Sequence, residues 1–367
     1  MRIALNLLYL IPTEFGGGET YARGLLCGLA DCQGADEIFV YVNKSARDWP
    51  LPENGTFRKS ICSISGRRRI IRYLYEQLVF PVLLLRDRID VVHSLGNVSP
   101  LLAPCSAVVT ISDLYFKHFA KNMSFFRLAA LRFFVSLSAR RSDQIITVSE
   151  FSRRELCREF PSAEKKITVT HLATQHRPAF HNSHYVDDTF RIGSPYFVAF
   201  SSESVHKNIE KLIEAYTYAR NHDGLLHKLV ILGKPIQNAP EVEGIAYTGY
   251  LSDSTLLTIL GGASFLIFPS LYEGFGLPLL EAMAIGVPVA CSTAGSLPEV
   301  AGDSALLFCP TSPLAIRSAL VRMSTDGELR DLLRSKGYEN LKRFSWQKTA
   351  AETYRVLKLA STRIPQK

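Results

Sequence analysis

At 367 residues the chain is longer than one ordinary hydrophobic core organises, so two domains are expected. A hydrophobic share of 47% and a charged share of 21% exclude a disordered chain, and no apolar run is long enough for a membrane-spanning helix. The net charge of +8 favours an anionic partner such as a phosphate ligand or acidic lipid; no recognisable nucleic-acid module accompanies it, so nucleic acid is not expected.

The stretch Met1–Pro12 is apolar but short, lacks a small-residue cleavage site and passes directly into Glu14 and a glycine cluster. It reads as a first buried strand rather than a signal peptide. From there, short apolar runs alternate with longer amphipathic ones, the pattern of parallel α/β architecture. Strands are predicted over 3–8, 37–42, 91–93, 107–111, 144–148 and 167–170, and helices over 19–30, 69–85, 124–141 and 152–160. Residues 173–180 are polar, include Pro178 and have no clear period, which places the domain boundary near residue 178. Beyond it, strands are predicted over 196–200, 228–232, 245–248, 265–268 and 289–291, with helices over 208–221, 252–261, 279–284 and 314–322. Two further helices, 327–343 and 346–360, close the chain.

The expected organisation is therefore two doubly wound parallel-sheet domains, 1–178 and 179–345, followed by a terminal segment 346–367. Such sheets, joined once, face each other across a cleft, and ligands are expected at the carboxyl ends of the strands. The seven cysteines are scattered and include no C-x-x-C pair, so neither a zinc site nor a disulfide framework is indicated. Reduced, mostly buried thiols in a cytoplasmic protein are the expectation.

Three loops carry candidate chemistry. Gly16, Gly17 and Gly18 lie between the first strand and first helix, where they let backbone approach a ligand ahead of free helix amides. They match neither G-x-G-x-x-G nor a Walker A loop, and a plain strand–helix turn is the competing reading. His206 and Lys207 follow the strand at 196–200, where a cation and a helix start converge and suit a diphosphate. A solvated lysine in a polar loop is the alternative.

The third loop is the most informative: PSLYEGFGLPLLE, residues 269–281, directly after a buried apolar run. Gly274 and Gly276 permit backbone geometry closed to other residues, and Pro278 suits a first helical turn. Glu273 on the loop and Glu281 one turn into the helix can face one crevice, as a general acid and base or as ligand holders. Simple capping by Glu273 and exposure of Glu281 is the plainer reading.

The ordered set GGGETY, TVSEFSRREL, SVHKNIEKL, GYLSD, FPSLYEGFGLPLLEAMAIGVPVA, GSLPEVAG and RFSWQKTAAE resembles glycosyltransferase family four over essentially the whole chain. The resemblance implies a GT-B fold of two Rossmann-like domains and retaining transfer from a nucleotide diphosphate sugar without a metal. It implies that Glu273 orients the transferred sugar, Glu281 binds the ribose, and Lys207 neutralises the diphosphate, with His206 assisting. Phe275, Gly276 and Leu277 would offer backbone groups to the donor, and Gly17 and Gly18 would lie near its phosphates. Trp346 would begin a last helix that crosses back onto the N-terminal domain. Asp113 joins Glu273 and Lys207 as a catalytic candidate. Two departures stand out: Ser112 occupies a place where members often carry a sugar-contacting histidine, and Ser201 one where many carry an arginine. Ser112 and His93 are thus candidate acceptor or sugar contacts, with an ordinary strand-end histidine as the alternative for His93.

The likeness to mannosyltransferases favours GDP-mannose as donor and a glycan or lipid-linked saccharide as acceptor in cell-surface polysaccharide synthesis. No cofactor is expected. A nucleotide-sugar isomerase and an inactive glycan- or nucleotide-binding scaffold are the rival readings. Two basic, aromatic segments, Arg67–Tyr75 and Tyr115–Arg141, can lie on an anionic membrane at the inner face of the bacterial cytoplasmic membrane. In the competing reading their apolar residues face the core and their arginines face water.

Overall fold

The structure, a computed structural model, describes residues 1–12, 16–32, 34, 36–53, 57–174, 193–202, 204–236 and 241–362. The chain forms two compact units, Met1–Ala173 with Phe344–Lys367, and Thr174–Arg343. The boundary expected near residue 178 lies outside the described residues.

The first unit is built on strands β1 (Arg2–Leu7), β2 (Glu37–Asn43), β3 (Phe57–Cys62), β4 (Val91–Ser94), β5 (Ser106–Thr110), β6 (Gln144–Thr147) and β7 (Ile167–Val169). They form one parallel sheet in the order β3-β2-β1-β4-β5-β6-β7. The central strands are buried along almost their whole length, as expected where helices cover both faces. Its helices are α1 (Gly16–Cys32), α2 (Arg69–Leu78), α3 (Phe80–Arg86), α4 (Tyr115–His118), α5 (Phe125–Arg141) and α6 (Glu150–Glu159).

The helix predicted over 69–85 is two helices, because Pro81 supplies no amide and opens a new first turn at Phe80. The strand β3 is absent from the sequence-based assignment. Its FRKSIC sequence lacks an apolar run, since an edge strand buries little and its charges keep other strands from pairing there. The plainer reading of residues 67–75 also fails. On α2 the charged Arg72 and Glu76 are buried at 6% and 4% exposure, while Ile70, Ile71, Leu74 and Leu78 face solvent.

The second unit contains β8 (Tyr196–Ser201), β9 (Lys228–Gly233), β10 (Ile245–Tyr247), β11 (Leu266–Phe268), β12 (Val289–Ser292) and β13 (Ala305–Phe308). Their parallel order is β10-β9-β8-β11-β12-β13. Its helices are α7 (Ile209–His222), α8 (Asp253–Gly261), α9 (Leu277–Ala284), α10 (Leu297–Ala301), α11 (Pro313–Thr325) and α12 (Gly327–Leu341). Phe197 stacks on Phe265 at 4.7 Å in a core completed by Leu212, Tyr216, Ile231 and Ile316. The edge strand β13 and the short α10 were not predicted.

The last helix, α13 (Trp346–Ser361), belongs to the first unit and lies along α1. Two glycines make the approach possible: a Cβ on Gly24 would fall 2.1 Å from the Trp346 ring, and one on Gly28 would fall 2.4 Å from the Trp346 carbonyl. Polar ties fix its register, with Thr349 Oγ1 donating to His171 O at 2.5 Å and Ser106 Oγ to Ala360 O at 2.9 Å.

Candidate functional site

In both sheets the strand order reverses once, between β1 and β4 and between β8 and β11, and such reversals open a crevice at the carboxyl ends of the strands. The loops after β8 and β11 meet at the second of these points. After β8 the chain makes a short turn, Val205–Lys207, then passes through Asn208 into α7. Asn208 is left-handed, with φ +58°, a conformation that asparagine tolerates better than most residues. Its amide donates to Pro269 O at 3.1 Å beyond β11 and to Pro310 O at 2.8 Å beyond β13. Leu271 N also donates to His206 O at 2.7 Å. The Lys207 turn is therefore stitched to the ends of two other strands.

These ties bring Lys207 Nζ to 2.7 Å from Glu273 Oε1, with both side chains largely buried. The ammonium also lies 4.8 Å from the Phe268 ring centroid. His206 Nε2 stands 3.9 Å from the same carboxylate oxygen. Burial pushes the His206 imidazole down to about 4 despite Glu273 beside it, so the ring is neutral at pH 7 in this arrangement.

The Glu273 loop is clamped from the other side by the turn after β12. Ser296 Oγ donates to Glu273 O at 3.0 Å and to Phe275 O at 2.7 Å, and Ser296 N donates to Glu273 O at 3.1 Å. Gly295, at φ +64°, passes so close that a Cβ there would be 2.6 Å from Glu273 O. The loop ends at Gly276, at φ +112°, which turns the chain into α9; a Cβ there would also meet Leu297 Cδ2 at 2.7 Å. Phe275 and Leu277 bury their side chains at 4% and 7% exposure, so what they can offer a ligand is backbone. Glu281 is half-buried on the second turn of α9. Ser201 Oγ at the end of β8 and Ser270 Oγ just past β11 are buried without hydrogen-bond partners among the described residues.

In the first unit the glycine cluster does not precede α1 but forms its first turn. Gly16 and Gly17 are exposed, and Gly18 packs on Tyr9, whose hydroxyl donates to Gly18 O at 3.1 Å. Tyr9 also lies against Gly96 beyond β4, so this ring fills the reversal point of the first sheet. Ser112 is held by its backbone, its N–H donating to Asn97 Oδ1 at 3.1 Å and its carbonyl accepting from Ser152 Oγ at 2.8 Å. Asp113 uses one carboxylate oxygen to accept from Tyr115 N at 2.9 Å, which caps the turn into α4.

His93 is corrected by the structure. It sits inside β4 with no exposed surface, its Nε2 paired with Thr110 Oγ1 at 2.8 Å. Burial pushes its ring down to about 3, so it is a neutral core histidine, whose Nδ1 has no hydrogen-bond partner among the described residues. Among the described residues no group of three or more His, Cys, Asp or Glu side chains could hold a metal ion, and no helix is long and apolar enough to cross a membrane.

Comparison with known proteins settles the family. Glycosyltransferase Family 4 matches residues 15–174, and Glycosyl transferases group 1 matches residues 188–340. The chain belongs to glycosyltransferase family 4. It is 31% identical over 236 residues to O-antigen chain mannosyltransferase B of Escherichia coli, covering 59% of this chain and 60% of that one. It is 30% identical over 239 residues to the MMP alpha-(1->4)-mannosyltransferase of Mycolicibacterium hassiacum, covering 62% and 56%. The match thus spans between half and two thirds of these curated relatives. The solved structure of HepE from Anabaena, in complex with UDP and glucose, superposes with a TM-score of 0.73 at 15% identity, over 98% of this chain and 99% of that one. That likeness shows the GT-B fold.

Sequence reasoning did not single out Asn208 or Ser296. Both lie inside segments that carry the family resemblance, but their roles depend on a left-handed backbone and on carbonyls contributed by distant loops.

Proposed function

We propose that this protein is a retaining hexosyltransferase that moves mannose from GDP-mannose to a glycan or lipid-linked saccharide in cell-surface polysaccharide synthesis. The observation that carries the reading is the Lys207–Glu273 pair at the reversal point of the second sheet, beside the start of α9. An unpaired ammonium there would be costly to bury, and Glu273 neutralises it while no donor is bound. A donor diphosphate takes over Lys207 and the amides after Gly276, which leaves the Glu273 carboxylate for the sugar hydroxyls. Glu281 holds the ribose.

In the transfer, the bond from the anomeric carbon to the diphosphate oxygen breaks and a bond to the acceptor hydroxyl forms on the same face. The acceptor proton passes to the leaving phosphate oxygen. Lys207 and the backbone amides stabilise charge that grows on the diphosphate, the term that contributes most in such chemistry. The two mannosyltransferase relatives support mannose. UDP-glucose is the second reading, favoured by the ligands of the HepE structure. The protein would act as a peripheral enzyme at the inner face of the cytoplasmic membrane, where a lipid-linked acceptor lies.

Nucleoside diphosphate release, measured with GDP-mannose and UDP-glucose with and without saccharide acceptors, tests the proposal. Acceptor-dependent release of GDP supports it. A new nucleotide sugar without release indicates an isomerase, and binding without turnover indicates a scaffold.

A further inference from the structure

The α2–α3 face of the first unit is built the wrong way round for a helix that only covers a core. Its inward positions include the buried Arg72, Glu76, Phe80 and Leu84, spaced four residues apart. Its outward positions are Ile70, Ile71, Leu74, Leu78, Val82 and Leu85, each between 48% and 70% exposed. The outward spacing of three and four residues continues across the break at Val79, so the two helices present one apolar stripe to solvent. At the start of α5, Phe125 and Phe126 are each 78% exposed and touch edge to face at 5.8 Å. A contiguous apolar surface of this kind marks an interaction site.

Cations are gathered at the same place. A groove of about 450 Å³ runs between the start of α2 and α5, with Arg67, Arg68, Arg69 and Arg127 on its walls and Ile71 and Phe126 among its apolar lining. Burial and the nearby Arg127 charge both push the Arg69 guanidinium down, so the arginines repel one another across the groove. Among the described residues no ion pair involves Arg68, Arg69 or Arg127. Those three guanidinium groups therefore lack a counter-anion among the described residues, and Ile70, Ile71, Phe126 and Ala130 line the groove beside them.

We infer that this face docks on a bilayer containing acidic phospholipid, with the Arg68, Arg69 and Arg127 guanidinium groups on lipid phosphates and the α2–α3 stripe, Phe125 and Phe126 in the acyl boundary. Charge decides the occupant. A second copy meeting the same face would bring one arginine cluster against another, and an apolar partner helix would leave the cations unanswered. A leaflet offers apolar chains and anionic phosphates together. The inference deepens the proposed use of a lipid-linked acceptor, but the docking itself needs neither donor nor acceptor.

Vesicle flotation of the full chain tests it, with phosphatidylcholine vesicles compared with vesicles that also contain phosphatidylglycerol, at low and high salt. Binding to the acidic vesicles alone, weakened by salt, is the expected result. The double variant Arg68→Ala/Arg127→Ala should partition roughly thirtyfold less into acidic vesicles, from about 1 kcal/mol per basic residue near an anionic surface. The double variant Phe125→Ser/Phe126→Ser should lose binding while keeping the wild-type melting temperature and nucleoside diphosphate release with a soluble acceptor. Equal binding to neutral vesicles, or no binding to either kind, overturns the inference. A dimer in solution that the phenylalanine variant dissolves, with no vesicle binding, assigns the face to a second copy instead. Vesicle binding without transfer, or transfer without vesicle binding, separates failure of one proposal from failure of the other.

Discussion

Replacing Asn208 probes how the second unit holds Lys207 in place. Its side-chain amide serves two backbone carbonyls, Pro269 O at 3.1 Å and Pro310 O at 2.8 Å, and the residue is left-handed at φ +58°. Asn208→Ala removes both hydrogen bonds, each worth about 1 kcal/mol net, and puts a Cβ residue without a polar side chain into a left-handed well at a cost of about 1 kcal/mol. The sum is about 3 kcal/mol. Asn208→Gly loses the same two bonds but relieves the backbone, so about 2 kcal/mol is expected. For a unit of this size, 1 kcal/mol moves a melting midpoint by about 2–4 °C, which puts the alanine variant roughly 6–12 °C below wild type. The relevant transition is the one that GDP or UDP shifts upward. Nucleotide affinity, read by calorimetry, should fall about tenfold in Asn208→Ala as Lys207 loosens, and less in Asn208→Gly. A glycine variant as unstable as the alanine variant would remove the left-handed contribution. Wild-type melting in both would show that the two carbonyl contacts stabilise nothing.

The carboxylates should separate by role: Glu273→Ala slows single-turnover transfer with donor affinity nearly kept, whereas Glu281→Ala weakens donor binding, and an unchanged transfer rate in Glu273→Ala would remove its assigned role. Burial pushes the Glu76 carboxyl up to about 7 from an ordinary 4.5, so the native state holds this proton after the unfolded chain has lost it. That contribution to stability is therefore lost as pH rises from about 4.5 through 7, and Glu76→Gln should flatten this fall in urea midpoints measured from pH 5 to 8. Gly24→Ala sets helix propensity against packing: propensity alone would stabilise α1 by about 1 kcal/mol, yet the new Cβ strikes the Trp346 ring. A net loss of about 1–2 kcal/mol in chemical denaturation is expected, and a gain would mean that α13 does not press on α1 as closely as 2.1 Å implies.

The alternation of buried strands and amphipathic helices was legible because central parallel strands carry continuous apolar runs, as in IAL of β1 and LVIL of β9. The two missed strands, β3 and β13, are both sheet edges, where burial relaxes and the apolar signal fades. For residues 67–75 it is the competing reading, apolar side chains facing the core, that failed, and for a different reason. Periodicity reports which residues share a face, but not which face turns inward, and here the pair Arg72 and Glu76 went inside. At the site, Lys207 and Glu273 were legible because strand ends and glycine turns mark the crevice of an open α/β sheet. Asn208 and Ser296 were not, because the carbonyls they hold are 61 and 102 residues away for Asn208, and 23 and 21 for Ser296.

The ties also explain why a lysine and a glutamate can sit together where a dianionic ligand is proposed to bind. Glu273 is fixed from one side through its own carbonyl by Ser296, and Lys207 from the other through Asn208, so neither depends on the ion pair for its position. The pair is thus free to exchange partners. In the proposed reaction the lysine would turn to the diphosphate without the loop moving, and the carboxylate would remain at the crevice as an acceptor for sugar hydroxyls. His206 sharpens the point, because burial keeps it neutral beside them and the charged partners in this arrangement are Lys207 and Glu273. Were the pair holding the loop together, breaking it would loosen the crevice as the donor arrived. With the backbone clamped elsewhere, the electrostatic exchange is confined to the side chains, which is the preorganisation that leaving-group stabilisation requires.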